Sequence, residues 1–301
     1  MNLHRSDIRA ALPGFKPLSQ LPAGTLPMAH ARVPGGTDQA LGADAGALVD
    51  FYDREGSTPP LFVSYYTQTS PYIERVERLR STLDRYCLPH RIEQLADQGS
   101  WVANTGLKAQ IMQRAWATSD RPICWIDADA ALLRAPGFLS DLPFDMACVR
   151  RFGWYDLSGL VYFSNAPVAG RVIDRWAQLC AEHPLTWDQP LLTLAWYQVA
   201  QVHAISSLWM PDDLFQFPQS GQRGGVAAPD PLPGRIEPVF DQTQASRAVK
   251  ARSDFVPVVE RTSDHISAEF RAALRASDFS FDADLGTAFM KAKTLGETIA
   301  P

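Results

Sequence analysis

The stretch Arg121-Pro-Ile-Cys-Trp-Ile-Asp127-Ala-Asp129-Ala constrains the fold more than any other part of the chain. Ile123 to Ile126 is apolar at every position, as in a strand buried on both faces of a largely parallel sheet. The run then ends abruptly in two carboxylates one residue apart. On an extended chain, period two puts Asp127 and Asp129 on the same side. Acidic side chains that close a buried strand need water, a cation or a basic partner. At the carboxyl end of such a strand, where open α/β sheets bind ligands, a divalent metal is the expected partner.

The surrounding pattern alternates strands with helices. Leu61 to Thr67 is apolar and β-rich, the expected first strand. Tyr72 to Tyr86 follows with Ile73, Val76, Leu79 and Leu83 at helical spacing, after a Pro71 suited to a helix start. Arg91 to Leu95 reads as a strand, Asn104 to Trp116 as a helix, and Asp145 to Arg151 and Gly159 to Ser164 as strands. Val168 to Glu182 and Asp188 to Tyr197 read as helices, and Val202 to Trp209 as a strand. The expected fold is α/β, a single Rossmann-like domain with a mixed, mainly parallel sheet and helices on both faces. Residues 1–57, rich in Pro, Gly and Ala, read as an N-terminal extension with one short helix from Asp38 to Tyr52. The domain proper runs over 58–265, with a Pro- and Gly-rich loop or lid at 211–238, and 266–301 forms a terminal helix and tail.

With 28 basic and 33 acidic residues, the formal net charge of -5 argues against a polyanion as the main partner. Cys87, Cys124, Cys148 and Cys180 form no CxxC and read as reduced core residues. No apolar run has the length of a membrane-spanning helix, and no signal core opens the chain. The expected location is the cytoplasm, with room for peripheral contact with a membrane.

Ile-Cys-Trp-Ile-Asp127-Ala-Asp129 resembles the metal-binding strand of GT-A glycosyltransferases, in particular the retaining group related to glycogenin and to lipooligosaccharide galactosyltransferases. Three further segments fall in that group's order over residues 60–210. They are Lys108 on Leu107-Lys-Ala-Gln-Ile-Met, Ser158-Gly159-Leu-Val-Tyr-Phe-Ser-Asn165, and Trp187-Asp188-Gln189-Pro-Leu-Leu. The resemblance implies a GT-A fold and a nucleotide-sugar donor, most often a UDP-sugar, held with Mn²⁺ or Mg²⁺. It implies Asp127, Asp129 and a late histidine as metal ligands. His265 in Ser263-Asp264-His265-Ile266 is the candidate, although the glycine and lysine that follow it in the family's ending are missing. Tyr65, Tyr66, Thr67, Asp127, Ala128, Ser158 and Gly159 would line the donor, and Lys108 would meet its sugar and diphosphate. Asp188 would bind donor-sugar hydroxyls, with Gln189 beneath the anomeric carbon. Retention of configuration, with the leaving phosphate oxygen as base, follows from the same likeness.

Two other functions fit parts of the pattern. A haloacid-dehalogenase-type phosphatase also carries DxD after a hydrophobic strand, with its first aspartate as nucleophile. That pattern belongs to a first strand followed by Thr or Val, whereas Ala130 and Ala131 follow here. An inactive nucleotide-sugar-binding protein would keep the same residues. The sequence does not name the acceptor; a glycan, a lipid-linked glycan or a protein is expected ahead of modified nucleic acid. Trp154, Tyr155, Trp187 and Trp209 are aromatic candidates to face it.

Overall fold

The computed structural model describes residues 8, 12–22, 27–42, 45–68, 72–149, 156–217, 236–243 and 245. His265, Trp154, Tyr155, most of the 211–238 loop and the terminal segment 266–301 lie outside them.

The core is a nine-stranded sheet. Its strands are β1 (Lys16–Pro17), β2 (Ala29–Arg32), β3 (Gln39–Leu41), β4 (Leu61–Thr67), β5 (His90–Leu95), β6 (Ile123–Ile126), β8 (Met146–Val149), β9 (Leu157–Phe163) and β10 (Ile205–Met210). They lie in the order β1-β3-β2-β10-β8-β9-β6-β4-β5. β5, β4 and β6 pair in parallel, as do β8 and β10, while β9 runs antiparallel between β6 and β8. A small second sheet joins β7 (Ala130–Leu132), β11 (Phe215–Gln216) and β12 (Phe240–Gln242) in the order β11-β12-β7. The helices are α1 (Ala45–Asp53), α2 (Tyr72–Arg85), α3 (Trp101–Thr118), α4 (Pro167–Glu182) and α5 (Asp188–Val202). This is the mixed α/β architecture the sequence implies.

Alternation along β6 explains its unbroken apolar run. Ile123 and Trp125 enter the core that α3, α4 and α5 cover. Cys124 and Ile126 enter the core on the opposite face, with Leu79 and Leu83 of α2 and Phe51 of α1. Both faces exclude water, so no position can be polar until the strand ends. Trp125, Trp176, Trp196 and Trp209 are fully buried, each removing about 150–250 Å² from water.

Three expectations need correction. Gln39–Leu41, placed in a helix from Asp38 by sequence, is strand β3, and the helix begins only at Ala45. β3 forms a hairpin with β2, turning through Gly35 at φ 70°, a left-handed value suited to glycine. Asp38 accepts hydrogen bonds from Arg32 Nη1 (2.8 Å) and Val33 N (3.0 Å) and meets His30 Nε2 at 3.1 Å, fixing the turn. β2 then pairs antiparallel with β10, so this part of the N-terminal region extends the main sheet. Second, α3 starts at Trp101, three residues before Asn104, because Ser100 caps it through Ala103 N. Third, Cys87 is exposed; Cys124, Cys148 and Cys180 are buried, and all four are free.

α4 packs against both α3 and α5. It approaches α3 closely at Gly170, where a Cβ would lie 2.6 Å from the ring of Trp116. That ring cannot swing away freely, because Trp116 Nε1 donates to the Ser164 carbonyl at 2.8 Å. Gly170→Ala is therefore expected to destabilise the fold by about 1–3 kcal/mol. The loss would register as a lower urea midpoint, and an unchanged midpoint would refute the close packing.

Candidate active site

β6 ends at Ile126, and the chain leaves the sheet at once. Ala130 N donates to the Asp127 carbonyl at 3.0 Å, so residues 127–130 form a turn leading into β7. The two carboxylates thus share a tight turn, not the extended chain that period two suggests. The bend is needed because β7 belongs to the second sheet.

Lys108 lies at the centre of the site. Leu107, Ile111 and Ala115 hold α3 on the core, and Lys108, on the same helix, is only 5% exposed. Its Nζ donates to the Ser158 carbonyl (3.0 Å) and to Ser158 Oγ (2.9 Å). It also forms ion pairs with Asp127 Oδ1 (3.1 Å) and Asp188 Oδ2 (3.0 Å), and sits 5.0 Å from the centre of the Trp125 ring. One ammonium thereby ties together α3, the turn after β6, β9 and the first residue of α5. Burial alone lowers the Lys108 pKa, but the charges of Asp127 and Asp188 outweigh it and hold the group above the ordinary lysine value.

Asp127 is held from several sides. Trp125 Nε1 donates to Oδ1 at 2.7 Å, Gln242 Nε2 donates to Oδ2 at 3.2 Å, and the backbone N donates to the Gly159 carbonyl at 3.0 Å. Its side chain is nevertheless 27% exposed, against 3% for Asp188. Asp129 is buried and accepts from Ala245 N through Oδ2 at 2.6 Å. Its carbonyl accepts from Thr243 N and Thr243 Oγ1. Burial and the nearby Asp127 charge push the Asp129 carboxyl up to about 6. Two mutually repelling oxygen donors suit a hard divalent cation that takes its other ligands from phosphate and water. Among the described residues no third His, Cys, Asp or Glu completes such a group.

The other expected residues divide. Asp188 is the first residue of α5 but does not cap it: the N-cap is Trp187, and the Asp188 carboxylate turns to Lys108. Outside that ion pair, Asp188 Oδ2 is buried with no hydrogen-bond partner among the described residues. Gln189 follows on the same turn, half-buried. Ser158 and Gly159 lie on β9 beside the cluster, and a Cβ on Gly159 would stand 3.3 Å from Asp127 Oδ2. Ala128 is buried within the turn. Tyr65 and Tyr66 part company, as strand alternation demands. Tyr65 packs on Trp125 at 5.4 Å, its hydroxyl bonded to the Asn104 carbonyl. Burial and the charges of Asp188 and Asp127 raise its pKa. Tyr66 bonds Gln94 on β5 at 3.2 Å, and Thr67 is buried. Sequence reasoning missed Trp125, Gln242 and Ala245. Trp125 was detectable, two residues before Asp127 on the same side of β6. Gln242 lies 115 residues further on, and no local pattern announces it.

No family model matches the sequence, and no curated protein matches it. Glycosyltransferases are among the solved structures it is similar to. One is involved in the glycosylation of the major capsid of PBCV-1, with 14% identity, TM-score 0.46, and coverage of 63% of this chain and 96% of that one. Another is the apo form of the glycosyltransferase GlyE in Streptococcus pneumoniae TIGR4, with 15% identity, TM-score 0.37, and coverage of 52% of this chain and 46% of that one. A second GlyE structure gives 14% identity and TM-score 0.35. Such distant likenesses carry no weight on chemistry, which rests on the geometry above.

That geometry makes opposite predictions for its two charge types. Lys108→Met leaves Asp188 buried with its charge unpaired, and should cost about 3–5 kcal/mol of stability. Because the folded Lys108 pKa is raised, its contribution is complete below the unfolded lysine value near 10.5 and fades as pH rises through the folded value. Wild-type urea midpoints should therefore fall in that alkaline window more than those of Lys108→Met. Asp129→Asn removes a carboxylate whose ionisation the fold opposes, while leaving an acceptor for Ala245 N. At neutral pH without metal it should stabilise the protein, on the order of 1 kcal/mol. A destabilised Asp129→Asn would contradict the strained carboxylate pair.

Proposed function

We propose that this chain is a metal-dependent glycosyltransferase that moves a sugar from a nucleotide-sugar, a UDP-sugar, to an acceptor. The observation that carries this reading is the ion-paired group Asp127–Lys108–Asp188 beside the turn that holds Asp129. It sets the partly exposed Asp127 and the buried Asp129 next to a third carboxylate, the desolvated Asp188, with unused hydrogen-bonding capacity. Asp127 and Asp129 suit a cation and a diphosphate; Asp188 suits a sugar hydroxyl. Asp127 and Asp129 would hold Mn²⁺ or Mg²⁺, with His265 as the candidate third ligand. When bound, the cation supplies positive charge against the departing diphosphate.

The protein's own groups do the rest. Lys108 holds Asp127 and Asp188 in place through two ion pairs, so neither must reorganise when substrate arrives. Asp188 Oδ2 would accept a hydrogen bond from a hydroxyl of the donor sugar, and Gln189, next on the helix, would lie under the reacting carbon. Gly159 leaves open the space beside Asp127 that any side chain would fill, allowing close backbone approach. Tyr66 and Thr67, at the carboxyl end of β4, flank the nucleoside. Retention of configuration, the wider family assignment and a glycan, lipid-linked glycan or protein acceptor belong to the same proposal.

Release of nucleoside diphosphate from a panel of nucleotide-sugars, with and without Mn²⁺, tests it. Turnover should require metal, favour a UDP-sugar, and drop by about 100-fold or more in Asp127→Asn and Asp129→Asn. Absence of both donor hydrolysis and donor binding across the panel would overturn the assignment. Metal-dependent hydrolysis of a simple phosphate ester, abolished by Asp127→Asn, would replace it with a phosphatase.

A further inference from the structure

Lys108 has three ammonium protons, and four oxygens lie within 3.1 Å of its Nζ: Ser158 O, Ser158 Oγ, Asp127 Oδ1 and Asp188 Oδ2. Its charge faces two carboxylates and its donors are committed. It therefore serves as a positioning residue, and a diphosphate at Asp127 and Asp129 needs its cationic protein contact from elsewhere.

The packing of α2 supplies one. The helix runs parallel to β7, one side chain per turn. Tyr86 donates to the Leu133 carbonyl at 2.8 Å, and Thr82 Oγ1 accepts from Leu132 N at 3.1 Å. Arg78 meets Asp241 at 2.5 Å, and Asp241 is the β12 partner of Ala131. Each step toward the helix start thus moves one residue closer to the Asp127–Ala130 turn. The next residues on this stripe, at spacings of three, are Arg75 and Tyr72. The register puts Arg75 over Asp129, and its positive charge does act on that carboxyl, lowering its pKa against the effect of burial. Tyr72 feels both site carboxylates, whose charges add to burial in raising its pKa. Arg75 nonetheless forms no ion pair or hydrogen bond among the described residues, and its Nη1 is buried without a partner. A desolvated guanidinium N–H without an acceptor costs stability in the free protein and rewards a ligand that supplies one.

We infer that Arg75 is a phosphate-binding residue: its guanidinium donates to the oxygens of a diphosphate held at the Asp127–Ala130 turn, on the side opposite Lys108. The planar fork of arginine suits paired phosphate oxygens, and its charge compensates the leaving group that Lys108 cannot reach with a free proton. This inference deepens the transferase reading and rests on it for the identity of the diphosphate, but not for the anion site.

Titration calorimetry of inorganic pyrophosphate and of UDP, with and without Mg²⁺, on wild type, Arg75→Gln and Arg75→Lys provides the test. Arg75→Gln should weaken both ligands by about tenfold or more, and Arg75→Lys should recover part of the loss. Far-ultraviolet circular dichroism checks that each variant is folded. Equal affinities in wild type and Arg75→Gln would overturn the role of Arg75 and leave the transferase standing. Arg75-dependent pyrophosphate binding without turnover of any nucleotide-sugar would sustain the anion site and remove the transferase. A wild-type protein that binds neither ligand would overturn both.

Discussion

One buried ammonium organises this molecule's working end. Lys108 is worth little as a stability device, because taking three charges out of water costs much of what their attraction returns. Its value is geometric. It fixes Asp127, from the turn after β6, against Asp188, from the start of α5, and anchors both to the backbone of β9 through Ser158. Remove it and two carboxylates face each other across a space sealed by Trp125 and Tyr65. The placement of Asp127 against Asp188 is therefore conditional on that one side chain.

Much of this could be read from the chain. β4, β6 and the helices after residue 166 were legible because their apolar periods are long and nothing competes with them. β6 was clearest, since burial on both faces leaves no polar position. The N-terminal strands were not. β2 and β3 have only four and three residues, and β2 owes its state to pairing with β10, well over a hundred residues away. The sequence singled out the residues gathered around Lys108, but their relations to one another were not legible. The pattern grouped Lys108 with phosphate, whereas its packing gives it to carboxylates. Gln242 and Ala245 come from a segment with no motif of its own, and Arg75 resembles any other charged residue on an amphipathic helix until the register of α2 on β7 is known.

The site also divides charge from support. Asp188 and Lys108 are buried and paired with each other, while Asp127 keeps an open side and Asp129 carries a carboxyl raised to about 6. The raised carboxyl of Asp129 thus lies beside the open Asp127 and away from the buried Lys108–Asp188 pair. A site arranged this way gives up folding stability in return for readiness to bind.

The segment after β12 closes the Asp129 carboxylate by donating from Ala245 N, and Gln242 steadies Asp127 from the same stretch. These donors follow their acceptors by 116 and 115 residues. During synthesis, the main sheet through β10 can form while the acidic turn still lacks its lining. The carboxylate pair stays unfinished on the nascent chain until residue 245 has left the ribosome and β12 has docked on β7. Completion of the site thereby follows synthesis of the scaffold that carries it.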